Sequence, residues 1–140
     1  MSVHIRPFVD ADADPLVEIL IRNGQFAYPA VEDPAAMRRV AACPAAVFLV
    51  AEADGAVQGL VRAVYDGSRA LIHLLSVDPA AQRRGIGRAL VDAVQTELRG
   101  RGAVSLSVTV TAASAGFWQK LGFDALPVFL RLKTDPARCC

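Results

Sequence analysis

Between Arg69 and Gly100 the chain changes character twice, and this change constrains its fold more than any other feature. Arg69 to Val77 is a largely apolar run, which soon meets Gln82-Arg83-Arg84-Gly85-Ile86-Gly87. Ile86, Ala89, Leu90, Ala93, Val94 and Leu98 then recur at spacings of three and four as far as Gly100. The pattern predicts a strand buried on both faces, a glycine- and arginine-rich loop, and an amphipathic helix set against a sheet. The first turn of a helix leaves N–H groups unpaired and concentrates partial positive charge, so such an end suits a phosphate. Gly85 and Gly87 let a bulky anion approach the main chain, while Arg83, Arg84 and Arg88 add charge-assisted donors.

Spacing disfavours two phosphate-binding patterns. The Walker loop ends in Gly-Lys-Ser/Thr, which this stretch lacks. A dinucleotide fingerprint needs a third small residue after Gly85-Ile86-Gly87-Arg88-Ala89, where Leu90 stands instead.

Upstream, Val3 to Val9 reads as a strand. Asp10-Ala11-Asp12 caps a helix through Leu16, Ile19 and Leu20 that ends near Asn23-Gly24. Gln25 to Val31 carries no clear pattern. Asp33 followed by Pro34 is an N-cap with proline at the first helical position, starting a helix to Ala42 that Pro44 ends. Strands Ala46 to Ala53 and Ala56 to Tyr65 are joined by Asp54-Gly55, which suits a two-residue hairpin. Asp66-Gly67 leads into Arg69 to Val77, completing an antiparallel meander in which Gly59 marks a bulge. Ala103 to Val110 reads as a strand parallel to its predecessor, and Thr111 to Leu121 as a helix stopped by Gly122. Val128 to Lys133 supplies a final strand before Thr134-Asp135-Pro136.

A chain of 140 residues that is 54% hydrophobic suits one domain with a sizeable core. We expect a single domain over 1–135 and a tail over 136–140. The net charge of +1 gives no reason to expect a nucleic-acid partner. No apolar stretch is long enough for a membrane span, and the N-terminus lacks the apolar centre of a signal peptide, so no membrane partner and a cytoplasmic location are expected. Cys43, Cys139 and Cys140 make neither a disulfide framework nor a metal-ligand spacing, so no metal is expected.

Val77-Asp78-Pro79-Ala80-Ala81-Gln82-Arg83-Arg84-Gly85-Ile86-Gly87-Arg88-Ala89-Leu90 resembles motif A of the GCN5-related N-acetyltransferase (GNAT) superfamily, Gln/Arg-x-x-Gly-x-Gly/Ala directly after a strand. Ala115-Gly116-Phe117-Trp118-Gln119-Lys120-Leu121-Gly122-Phe123 is similar to the family's Ala-x-x-Phe/Leu-Tyr-Glu-Lys-Leu-Gly-Phe segment. The order of elements matches over nearly the whole chain. The resemblance implies an α/β (α+β) GNAT fold, with one mixed, mostly antiparallel sheet flanked by about four helices. It also implies transfer of an acetyl group from acetyl-coenzyme A to a primary amine, by direct attack in a ternary complex. Phe48-Leu49-Val50-Ala51-Glu52 and Tyr65-Asp66-Gly67 resemble the branch of the ribosomal-protein alanine acetyltransferase, which would admit a protein N-terminus as acceptor. A lysine side chain and small amines are the other acceptors in view.

By position, the cofactor contacts implied are Ser76, Val77, Gln82, Arg83, Arg84, Gly85, Ile86, Gly87, Arg88, Ala89, Thr111, Ser114, Phe117 and Trp118. The backbone N–H of Val77 falls where the family has its oxyanion donor. Thr111 stands where many relatives have an asparagine, and Ser114 lies one helical turn before Trp118. Trp118 replaces the tyrosine that commonly protonates the departing thiolate, and an indole cannot serve as that acid at neutral pH. The rival expectation is therefore a catalytically weak or inactive acyl-coenzyme A-binding regulatory module.

His73 has the titration range of a general base and occupies the place of the family's frequent glutamate; a buried histidine with a satisfied hydrogen bond is the structural alternative. Glu52 and Tyr65 are further polar groups that could serve. Tyr28, Glu32 and Asp33 lie in the segment that usually selects the acceptor and offer groups for an amine, although solvation would equally place them there. Cys43 has no histidine nearby in sequence, which argues against an acyl-cysteine step. An exposed final strand could pair with a second copy, so a homodimer is one expected assembly.

Overall fold

The computed structural model describes residues 2–126, so the strand expected over Val128 to Lys133 lies outside the described residues. Strand β1 (His4–Pro7) is followed by a 3-10 turn over Asp10–Asp12 and helix α1 (Ala13–Arg22). Helices α2 (Pro29–Glu32) and α3 (Pro34–Ala42) precede the meander β2 (Ala46–Ala53), β3 (Ala56–Tyr65) and β4 (Ala70–Val77). Helix α4 (Ile86–Gly100), strand β5 (Leu106–Val108) and helix α5 (Ala115–Lys120) complete the described elements. The sheet runs in sequence order β1-β2-β3-β4-β5, antiparallel except for the parallel β4–β5 pair.

Local chemistry explains the boundaries. Asp54 and Gly55 both take positive φ, 55° and 77°, so they turn β2 tightly into β3. Asp33 accepts the Ala36 N–H at 2.7 Å and Pro34 opens α3. Asp12 accepts the Val9 N–H at 2.9 Å and pairs with Arg6, which also reaches Glu52 on β2. Helix α2 falls within the stretch that lacks a clear sequence pattern, and its signal is Pro29 in the first turn.

The two faces of the sheet are covered differently. Leu16, Leu20 and Met37 from α1 and α3 pack with Phe48, Val50 and Leu60 in one buried cluster. The other face meets α4, where a Cβ built on Gly59 would lie 3.3 Å from Leu90 Cδ1. The same Cβ would lie 2.7 Å from the Ser76 carbonyl oxygen, so only glycine lets β3 and β4 run this close.

Two irregularities interrupt the meander. Ala51 pairs with Gly59 but Glu52 with Val57, which leaves Gln58 as the extra residue beside the glycine expected to mark a bulge. Arg62 pairs with Leu74 but Ala63 with Ile72, so His73 is the extra residue on β4. The chain forms two compact units, Met1–Thr109 and Val110–Cys140.

Candidate active site

Strand β4 is paired with β5 only over Ala70–Ile72, and beyond that point no described strand lies along its outer edge. Asp78 donates its N–H to the Gln58 carbonyl at 2.7 Å, so Asp78 directs its main-chain groups at β3. By alternation Ser76 does the same, while Leu75 and Val77 direct theirs to the open edge. Their carbonyls there are held by side chains from the end of α1: Gln25 Nε2 donates to Leu75 O at 3.2 Å, and Asn23 Nδ2 to Val77 O at 2.8 Å. Gln82 Nε2 also donates to Val77 O, at 3.1 Å, and to Asn23 Oδ1 at 3.3 Å. Val77 thus directs its N–H to the unpaired edge of β4.

The open edge runs directly into the start of α4. Asp78 accepts the Ala80 N–H and pairs with Arg22 at 3.0 Å, which ties the end of α1 to the loop. Arg83 and Gly85 are both left-handed, with φ of 64° and 83°. Left-handed residues of this kind build backbone concavities that hold anions, and the strain falls on Arg83, which has a side chain. The first helical bond in this turn runs from Ala89 N to Gly85 O at 3.0 Å. Ala89 has therefore spent its N–H, while those of Ile86, Gly87 and Arg88 belong to the first turn that no intrahelical carbonyl serves. Ile86 is 1% exposed and anchors the turn in the core, whereas Arg83, Arg84 and Arg88 are exposed. The residues fit a pyrophosphate: backbone donors, a concave loop and flanking guanidinium groups converge on one helix end.

The remaining expected site residues fall in three places. Ser76 is 2% exposed and its Oγ is bound by Asn23 Nδ2 at 2.7 Å, so its hydroxyl serves the framework. Thr111, Ser114, Phe117 and Trp118 all belong to the second unit. There the Thr111 hydroxyl and main-chain N–H bond Ser114 Oγ, capping the turn before α5. Trp118 is 6% exposed, edge-on to Phe117 and Phe123 with ring centroids 5.2 Å apart in both pairs, so its indole is a packing group within that unit. Of the acceptor-side residues, Tyr28 is exposed, Asp33 is the cap of α3, and Glu32 faces inward to an ion pair with Arg62.

His73, the bulged residue, is exposed to solvent at its surface. Neighbouring protein nevertheless crowds its imidazole, and this burial, aided by the charge of Arg62, holds its pKa down to about 4. The ring is neutral at physiological pH and can accept a proton, although its conjugate acid is strong. Arg62 is the site-proximal residue that sequence reasoning missed: one arginine in an apolar strand looks like a solvent-facing position, yet it is 2% exposed.

A mixed sheet whose open strand edge leads into a left-handed loop and a helix start is the frame for the family comparison. The model of the acetyltransferase (GNAT) family matches residues 16–123, and the chain belongs to that family. The fold is similar to that of a transcriptional regulator from Bacillus halodurans C-125, with a TM-score of 0.80 and 23% identity over 95% of this chain and 100% of that one. It is similar to the PaiA N-acetyltransferase from Thermoplasma acidophilum solved in complex with coenzyme A, with a TM-score of 0.84 and 17% identity over 92% of this chain and 94% of that one. Ard1 from Thermoplasma volcanium matches with a TM-score of 0.79 and 24% identity over 91% of this chain and 86% of that one. Among the described residues no helix is long and apolar enough to cross a membrane.

Proposed function

We propose that the chain transfers the acetyl group of acetyl-coenzyme A to a primary amine, on a small molecule or a protein N-terminus, within a ternary complex. The observation that carries this reading is the continuity of the open β4 edge with the concave start of α4. An extended ligand can offer carbonyl oxygens to the N–H groups of this edge, whose Leu75 and Val77 carbonyls are already held, while its pyrophosphate meets the N–H groups of Ile86, Gly87 and Arg88 and the nearby arginines. The Val77 N–H then lies where a thioester carbonyl oxygen gains negative charge.

The amine nitrogen bonds to the carbonyl carbon, the C–S bond breaks, and the sulfur leaves with its electron pair. Once bonded, the nitrogen carries a far more acidic proton than a free alkylammonium does, so neutral His73, directly or through water, is a competent acceptor despite its low pKa. Trp118 supplies no proton, and the thiolate takes one from water.

The test is thiol release from acetyl-coenzyme A across a panel of small amines, lysine peptides and peptides with free N-termini. Turnover with any of these supports transfer; cofactor binding with no release across the panel would overturn it. Replacing Gly87 with valine is expected to weaken cofactor binding, because the added side chain occupies space left for phosphate, and unaltered affinity would contradict the assigned loop.

A further inference from the structure

Arg62 is the largest fully buried polar side chain, at the centre of β3 on the face shared with Phe48 and Leu74. Its guanidinium lies 5.9 Å from the centroid of the Phe48 ring. Nη2 donates to Glu32 Oε2 at 3.0 Å, yet among the described residues buried Nε and Nη1 have no hydrogen-bond partner. A buried guanidinium normally meets acceptors on most of its donors, because unpaired buried N–H groups are destabilising. Its one hydrogen-bond partner among the described residues comes from a short element at the surface. Glu32 ends the four-residue helix α2, whose Tyr28 and Val31 flanks are 67% and 57% exposed. Burial outweighs the attraction of Arg62 and lifts the Glu32 carboxyl above its ordinary range, so this carboxylate is poorly compensated where it sits.

Resting on the acetyl-transfer reading above, we propose that Arg62 anchors a carboxylate carried by the acyl acceptor, and that Glu32 occupies one of its donors until that acceptor arrives. Nη1 is buried beside the Nη2 that Glu32 holds, so it becomes reachable only when Glu32, at the end of α2 with its side chain 16% exposed, swings to water and the incoming carboxylate replaces it. The position also sets the length of the acceptor. Arg62 is paired with Leu74, and three residues further along β4 the Val77 N–H marks the reacting carbonyl, a run of about 10 Å. An α-amino group lies too close to its own carboxylate to span this. The acceptor class is therefore a carboxylate whose amine lies several bonds away, such as an amino acid acetylated on its side-chain amine.

Calorimetric titration of the whole chain, with coenzyme A present, would use lysine and ε-aminocaproate, each against its carboxamide, with thiol release followed in parallel. We expect the carboxylates to bind about tenfold tighter than the carboxamides, the worth of one charge-assisted hydrogen bond. Glu32→Gln should widen that gap by removing the resident competitor, whereas an ion pair with a purely structural role would give destabilisation and no gain in binding. Arg62→Met combined with Glu32→Gln, which leaves no buried charge unpaired, should abolish the discrimination. Equal binding of carboxylates and carboxamides in the wild type, or no binding of either, overturns the anchor even if thiol is released from other amines. Carboxylate-selective binding with no thiol release would keep the anchor and overturn acetyl transfer.

Discussion

Gly59 and His73 show how much one residue decides here. A methyl group at Gly59 would meet the Ser76 carbonyl at 2.7 Å, a contact that only movement of β4 can relieve. Gly59→Ala should destabilise the fold by about 1–3 kcal/mol in chemical denaturation and weaken cofactor binding, since Val77 moves with β4. For His73 the folded pKa of about 4 lies below the ordinary histidine value of 6.5. The unfolded chain then binds more protons between those values, so the contribution of His73 is fully present above pH 6.5 and is lost as pH falls toward 4. His73→Gln should flatten the fall in Tm over that window. The low pKa also removes His73 as a source of any inflection in thiol release near neutrality; rates should climb toward alkaline pH as the acceptor amine loses its proton. An inflection near pH 6.5 that disappears in His73→Gln would contradict this.

At the scale of elements, the end of α1 and the start of α4 are fastened to the same strand end. Asn23 bonds Ser76 Oγ and Val77 O, and Arg22 pairs with Asp78. Asn23→Ala is expected to cost about 1–2 kcal/mol of stability and to lower kcat more than it raises the KM for the cofactor, because it frees Ser76 and Val77 while the loop loses only the 3.3 Å bond from Gln82. A change confined to KM would argue against this role. Most element boundaries are legible in the sequence because they are written in short-range chemistry: Asp54-Gly55 for the hairpin, Asp33-Pro34 for α3, and the apolar spacing of α4. Less is legible where long-range packing decides. Strand β5 is three residues, much shorter than its alternation implies, since β4 pairs with it only over Ala70–Ile72. The bulge at His73 and the ion pair between Arg62 and Glu32 join residues far apart in sequence, and no local pattern announces them.

Across the whole molecule, the net charge of +1 leaves little long-range field to draw in an anionic cofactor. Under the proposed function, attraction comes from the loop itself. Arg83→Glu should therefore lower coenzyme A affinity by about tenfold or more and reduce its salt dependence, whereas Arg38→Glu on α3 should change neither beyond about twofold. Equal losses from both would point to a diffuse field. The glycine- and arginine-rich stretch is legible because its residues are contiguous in sequence, while the acceptor anchor proposed above draws on α2, β3 and β4 together.

The bulge at His73 has a consequence for how this strand tolerates change in length. Ile72 is partnered with Ala63 on the α4 face and Leu74 with Arg62 on the opposite face, although the two leucine-like positions are two apart and would share a face in a regular strand. His73 is thus a phase shift, the one extra count that lets both halves of β4 bury the side chains they carry. Substituting the imidazole alters chemistry; deleting the residue would turn Ala70–Ile72 inside out.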